Sequence, residues 1–384
     1  MTRTMQAALL TDVAQFEIRV VPVVDPKPSE VLVRVTAVGL CGTDIQIVAG
    51  NVNYNRDEFG QPRSLRDHPQ ILGHEICGVV AEAGSSVRDS MPGDRVVIDQ
   101  GRTCISEAMA PVCEYCVTGD SHQCEHYAEH GLTGLPGGFA EYVTVPAVNS
   151  VRVEGEVSDE LAALTEPLGC VLHASEVLLR TKGRYTLERG VNNRPVRTIV
   201  ICGAGPAGLL MVQVLRRVVG FDGLLIVSEP NAKKRALAEH FGATTIDPSS
   251  VELAQVVAEL TEGRRAEMLI ESSGAGSAFR TIPGLVRKQA TILLYGHGHG
   301  GEDLSLLNPV QFLEPTLVAT TGASGGHDAH GRPLVYQRAL RLIEDAVVDV
   351  ASLITHRYSS LNALPSAFAG EHRHPDYVKG VVLL

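Results

Sequence analysis

The 384-residue sequence predicts an α/β protein in two parts, a β-rich region followed by a doubly wound parallel sheet. Three observations carry this. Short valine-rich runs punctuated by Gly and Pro dominate the first 150 residues, strands and helices alternate after Arg197, and the first strand of that alternation runs into a glycine-rich turn. With 44% hydrophobic residues the chain can bury two cores and is too apolar to stay disordered. Lys and Arg number 33 against 44 Asp and Glu, a formal charge of −11, and no Lys/Arg block interrupts the chain. That balance argues against binding a phosphate backbone, so no nucleic-acid partner is expected.

Val31 to Val38 alternates Val with Arg and Thr, and Gly78–Ala83 and Arg95–Ile98 are further strand-like runs. Turn material such as Pro26-Lys27-Pro28 and Pro92-Gly93-Asp94 separates them, a texture that predicts a small barrel or sandwich. Asp159 to Leu179 has helical spacing. Then follow Arg197–Cys202 as a buried strand, Ala207–Val219 as a helix and Gly223–Ser228 as a strand. Helices are expected over Asn231–Phe241 and Val251–Leu260, and strands over Met268–Glu271 and Thr291–Tyr295. An amphipathic helix over Leu334–Asp345 and an apolar strand over Lys379–Leu384 close the pattern. Two polar loops, 50–70 and 181–195, are long for a compact domain and are either lids or surface insertions.

No membrane segment is expected. The longest uncharged run, Thr198 to Leu215, carries Gly203, Gly205, Pro206 and Gly208 in its middle and reads as strand, turn and helix. Met1–Leu10 shows no secretory pattern. Four of the eight cysteines crowd into Cys104–Cys124, which points to metal thiolates in a reducing cytoplasm rather than a disulfide framework.

Gly203-Ala204-Gly205-Pro206-Ala207-Gly208 follows a strand and opens a helix, the arrangement that lets backbone N–H groups meet a pyrophosphate. Glu229 ends the next strand, where a carboxylate can bond the adenosine ribose and repel a 2′-phosphate, so NAD is favoured over NADP. Lys233, Lys234 and Arg235 stand just beyond, either to meet a phosphate or as a solvated helix start. Cys104, Cys113, Cys116 and Cys124 offer four soft donors, enough to close a tetrahedral zinc site. Cys41, His74-Glu75 and Glu166 are a more scattered set whose members each have ordinary structural explanations. Cys77, Cys170 and Cys202 sit among apolar residues and read as core.

Cys41-Gly42-Thr43-Asp44, Gly73-His74-Glu75-x2-Gly78, the four-cysteine loop, Glu166-Pro167-Leu168 and the glycine turn occur in the order typical of the zinc-dependent medium-chain dehydrogenase/reductase family. The chain resembles that family over essentially its whole length, and its sorbitol and threonine (polyol) dehydrogenase branch most. The resemblance implies a GroES-like β-rich catalytic domain (1–172 and 321–384) and a Rossmann NAD-binding domain (173–320). It implies two Zn2+ per chain. Catalytic zinc would take Cys41 and His74, completed by Glu75 or Glu166 and a water. Structural zinc would take Cys104, Cys113, Cys116 and Cys124, with Cys104 set apart by an unusual eight-residue spacing whose Ile105–Val112 must loop out. Thr43 would carry the alcohol proton, whereas Gln46 stands where an imidazole relay is frequent. The nucleotide would meet Gly203, Gly205, Pro206, Ala207, Gly208, Glu229 and Arg235.

The expected activity is hydride transfer from a secondary alcohol of polyol, sugar, cyclitol or amino-alcohol type to NAD+, giving the ketone. A carbonyl reductase, or an inactive dinucleotide-binding scaffold, are the competing readings. The 50–70 loop, with Asn51, Asn53, Tyr54, Asn55, Arg56, Asp57, Arg63 and Arg66, suits a polar substrate rim or a solvated insertion equally. His297 and His299 follow a strand on the nucleotide side without being expected as ligands. Family habit implies a homodimer or homotetramer.

Overall fold

The computed structural model describes residues 3–187, 194–297, 305 and 307–384. Two compact units emerge, Met1–Cys170 with Ala323–Leu384, and Val171–Gly322.

The first unit is built on a seven-stranded sheet. Its path runs Ser150–Arg152, Arg95–Ile98, Glu75–Ala83, Glu30–Gly39, Lys379–Leu383 and Ile354–Tyr358, and Tyr142–Pro146 also pairs with Glu30–Gly39. Glu30–Gly39 is central because both its faces are buried: Leu32 packs on a second core with Met5 and Ala7, while Val31, Val33, Val35 and Val38 line the main one. They pack with Ile76, Val80, Val96, Ile98, Phe139, Val143 and Val382. Each such side chain contributes about 1.5–3 kcal/mol on leaving water. A second, three-stranded sheet joins the hairpin Thr4–Asp12/Gln15–Pro22 to Gln70–Ile71. The sequence reading did not foresee this hairpin. Its two-residue turn, Val13-Ala14, places Ala14 at φ +55, so it lacks the Asn-Gly signature that marks such turns.

The second unit is a six-stranded, wholly parallel sheet in the order Thr244–Ile246, Leu224–Ser228, Thr198–Cys202, Ala266–Glu271, Val286–Leu294, Thr316–Ala319. Thr198–Cys202 is buried at every position, as a strand covered on both faces must be. The helix Ala232–His240 starts where expected because the Asn231 side chain accepts from the Lys234 N–H at 3.1 Å. The helix Pro206–Gln213 continues through a widened turn, Val214–Val218. Helix Gly276–Leu285 was not foreseen, since Pro283 within it masks the pattern.

Among the described residues, one helical stretch, Asp159–Arg180, is long and apolar enough to cross a membrane, and it is mostly buried inside the protein.

Candidate metal centre and nucleotide turn

Cys41 follows the central strand and caps the helix Gly42–Val48. Its own N–H donates to Asp44 Oδ2 at 3.0 Å, which fixes the first turn and so the direction of the thiol. The other oxygen of Asp44, Oδ1, lies 3.4 Å from the Gly73 N–H and 3.5 Å from His74 Nδ1. One fully buried carboxylate therefore orients both Cys41 and His74. Gly73 must be glycine, because φ is +87 and a Cβ there would lie 2.7 Å from the Phe139 ring. Thr43 sits half-buried in the first turn of the same helix.

Sulfur of Cys41, a ring nitrogen of His74 and a carboxylate oxygen of Glu75 lie within 4.8 Å of one another. Glu75 Oε1 pairs with Lys379 Nζ, both side chains being buried, while Glu75 Oε2 and His74 Nδ1 are buried without a hydrogen bond. A thiolate, an imidazole and a carboxylate with an orphaned oxygen form a donor set that fits zinc with one position left open. The local field agrees. Burial works against a charged His74, but Asp44 and Cys41 outweigh it and hold the imidazole well above its usual pKa. Burial likewise opposes the Lys379 ammonium, and Glu75 and Cys41 more than reverse this. Both shifts report the negative charge of the surrounding carboxylates and thiol, a field that favours a cation, and His74 would give up its proton on binding a metal.

Glu166 lies outside this cluster of three. It occupies the first turn of the helix Thr165–Arg180, and its Oε1 accepts from Gln100 Nε2 at 3.0 Å and from Cys170 Sγ at 3.2 Å. Burial and, less strongly, the charge of Glu75 push its carboxyl up, with His74 opposing. Of the two carboxylates left open by the sequence, Glu75 stands with Cys41 and His74, and Glu166 stands one layer out. Cys170, expected in the buried core, is instead half-buried, and its thiol donates to Glu166 Oε1. Cys77 and Cys202 are buried, and burial pushes the Cys202 thiol up to about 12.

The four sulfurs of Cys104, Cys113, Cys116 and Cys124 also gather within 4.8 Å of one another. Cys113 Sγ stands 3.6 Å from Cys104 Sγ and 3.8 Å from Cys124 Sγ. Backbone N–H groups of Cys104 and His126 point at Cys124 Sγ (3.3 and 3.4 Å), and that of Cys113 at Cys104 Sγ (3.4 Å). Such donors favour thiolate, and backbone N–H groups bring the Cys113 thiol down to about 6. The long spacing closes through turns in which Glu107 N–H bonds Thr103 O (3.0 Å) and Met109 N–H bonds Cys104 O (2.8 Å).

In the second unit, Gly203 has φ +101, and a Cβ on Gly208 would lie 2.1 Å from Gly203 O. A Cβ on Gly205 would meet nothing within 4 Å, so the turn is open where a pyrophosphate would approach. Pro206 and Ala207 begin the helix. Glu229 accepts from the N–H groups of Ala204 (2.8 Å) and Asn231 (2.9 Å), tying the turn to the next helix. Arg235 is committed to the carbonyls of Glu229 (2.9 Å) and Pro230 (2.6 Å) and to Asp247 (3.2 Å).

Residues 27–155 match the alcohol dehydrogenase GroES-like domain and residues 206–345 the zinc-binding dehydrogenase domain. The L-threonine 3-dehydrogenase of Pyrococcus furiosus is 30% identical over 91% of this chain and 89% of its own length. The chain belongs to the zinc-dependent medium-chain dehydrogenase family. The L-threonine 3-dehydrogenase of Thermococcus kodakarensis is also 30% identical, over 96% and 95% of the two chains. Among solved structures, a Sinorhizobium meliloti protein bound to NADP, described provisionally as a zinc-binding dehydrogenase, matches with TM-score 0.80 and 29% identity over 100% of both chains. Galactitol-1-phosphate dehydrogenase of Escherichia coli matches with TM-score 0.76 and 25% identity over 99% and 100%.

Three residues that bond to the candidate site's side chains were given no role from the sequence: Asp44, Gln100 and Lys379. Asp44 carried a local signal, standing three residues after Cys41 where a reciprocal helix cap is expected. Gln100 and Lys379 reach the site only through tertiary folding. The polar 50–70 segment is a lobe tied by Asn53 Nδ2 to Arg63 O (2.8 Å), by Arg63 N–H to Asn55 O (2.8 Å) and by Arg66 to Asp12 (2.7 Å). Asn55 packs so closely on Gly134 that a Cβ there would lie 2.7 Å from its oxygen. No metal-ligating group among the described residues includes His297, and His299 lies outside those residues.

Proposed function

We propose that this dehydrogenase uses NAD+ to oxidise a polar secondary alcohol, a polyol, sugar, cyclitol or amino alcohol, to the ketone. The observation that carries the reading is the Cys41–His74–Glu75 cluster with the buried, unbonded Glu75 Oε2. Cys41, His74 and Glu75 would hold the catalytic zinc, and Cys104, Cys113, Cys116 and Cys124 the structural one. When bound, the catalytic zinc supplies a Lewis acid for the substrate oxygen, and NAD+ supplies the hydride acceptor. Asp44 keeps Cys41 and His74 in register, Lys379 balances the charge of Glu75, and Glu166 stands ready to orient a water or hydroxyl. Thr43, two residues from Cys41, would take the alcohol proton.

NAD is favoured over NADP by the Glu229 carboxylate beside the glycine turn and by the commitment of Arg235 to carbonyls and Asp247. The names of the threonine and galactitol-1-phosphate dehydrogenases support small, polar substrates. The first unit serves as the catalytic domain and the second as the nucleotide domain. Free cysteines throughout the chain favour the cytoplasm. The exposed Phe312 and Leu317 near the open edge strand Thr316–Ala319 favour a homodimer or homotetramer.

The test is NADH absorbance with zinc-replete protein against polyols, sugars, inositols and 2-amino-3-hydroxy acids. Turnover on at least one class is expected, abolished in Cys41→Ala and lowered about 100-fold in Thr43→Ala. No turnover on any class, or full activity of Cys41→Ala, would overturn the reading.

A further inference from the structure

Gln100 follows the strand Arg95–Ile98 and is buried with both ends of its amide engaged. The Tyr336 hydroxyl, fully buried on the helix Leu334–Glu344, donates to Gln100 Oε1. Gln100 Nε2 donates to Glu166 Oε1 at 3.0 Å and faces Glu129 Oε1 at 3.4 Å. The amide has one tenable orientation. Reversing it would set its oxygen against two carboxylates and lose both N–H donors. Glu129 is itself held by the Tyr127 hydroxyl at 2.7 Å, and the Tyr127 N–H bonds Cys124 O at 3.0 Å. Among the described residues, the hydrogen bonds of Glu166 fall on Oε1, and no donor is bonded to Oε2.

We propose that Gln100 is a positioning residue, whose amide clamps Oε1 of Glu166 between the anchors Tyr336 and Glu129 so that Oε2 faces the metal centre. This rests on the reading of Glu166 as part of that centre. The clamp acts on geometry: a buried, doubly bonded amide holds a carboxylate in one rotamer, whereas Glu166 alone would be restrained only by the Cys170 thiol one turn on. Because Tyr127 lies on the four-cysteine lobe, the same clamp ties that lobe to the reaction centre.

The test uses full-length, two-metal protein with cobalt(II) in the catalytic site, comparing wild type, Glu166→Gln, Gln100→Met and Tyr336→Phe. The readouts are the cobalt visible bands, metal content, and kcat and KM for alcohol and NAD+. Gln100→Met should keep two metals per chain, shift the cobalt bands as Glu166→Gln does, and lower kcat about tenfold with the KM for NAD+ unchanged. Tyr336→Phe, which keeps the ring and removes only the anchor to Oε1, should do the same more weakly. If Glu166→Gln moves the bands and kcat but the two clamp variants do not, the proposal fails and the reading of the site stands. If Glu166→Gln moves neither, the assignment of Glu166 fails and the proposal with it.

Discussion

Replacing Gly39 by Ala should empty the catalytic metal site. A Cβ at Gly39 would stand 1.8 Å from Glu75 Oε2 and 2.9 Å from its Cδ. The carboxylate must therefore retreat by about 1.2 Å even to reach 3.0 Å, a distance Cβ atoms essentially never go below. The backbone cannot yield instead, because Gly39 is paired with Glu75 on one side and with Val381 on the other. Nor is φ the obstacle, since Gly39 is not among the positive-φ glycines. The glutamate has nowhere buried to go without leaving Lys379, and breaking such a pair costs about 3–5 kcal/mol. Loss of a metal-orienting contact ordinarily weakens metal affinity 10–100-fold, and here a ligand itself is displaced. Elemental analysis of dialysed Gly39→Ala should find about one zinc per chain instead of two, with activity lowered at least about 100-fold. Two zincs and full turnover in that variant would refute the placement of Glu75 as a ligand.

Other outcomes follow from the same reasoning. Cys104→Ser should remove the structural zinc and leave the catalytic one, read as about one zinc per chain and a lowered melting temperature. Burial holds the His130 imidazole down at about 4, against an ordinary 6.5. The folded protein thus refuses a proton that the unfolded chain accepts, so the His130 contribution is complete above pH 6.5 and is lost as pH falls to 4, about 3 kcal/mol in all. Urea titrations across that window should show a steeper acid loss for wild type than for His130→Asn. Glu229→Ser should raise the KM for NAD+ about tenfold or more and move the NADP-to-NAD preference toward NADP. An unchanged KM would remove Glu229 from the ribose site.

Much of this was legible because the signals are local. The strand Arg95–Ile98 fell where the valine run placed it, and the turn Gly203–Gly208 carried its strand and helix on either side. The cysteines of the lobe are close enough in sequence that their grouping follows from spacing. What was not legible depends on residues that look ordinary alone. Lys379 reads as the polar start of an apolar strand, and only the register of Lys379–Leu383 against Glu30–Gly39 brings it to Glu75. Gln100 carries no local signal, and only folding brings Tyr336, 236 residues away, to its oxygen. Which of Glu75 and Glu166 gathers with Cys41 and His74 likewise needed distances that no motif supplies.

The pairing of Glu75 with Lys379 spans 304 positions and bears on how the molecule is born. On the ribosome, the residues around Glu75 emerge about 15–60 s before Lys379, at 5–20 residues per second. Throughout that interval the sheet lacks an inner strand, and the glutamate has no ammonium beside it. A nascent chain in this state exposes an unpaired valine-rich edge, the kind of surface chaperones cover. The Glu75–Lys379 pair, and the strand that closes beside Glu30–Gly39, can therefore form only after Lys379 has been synthesised.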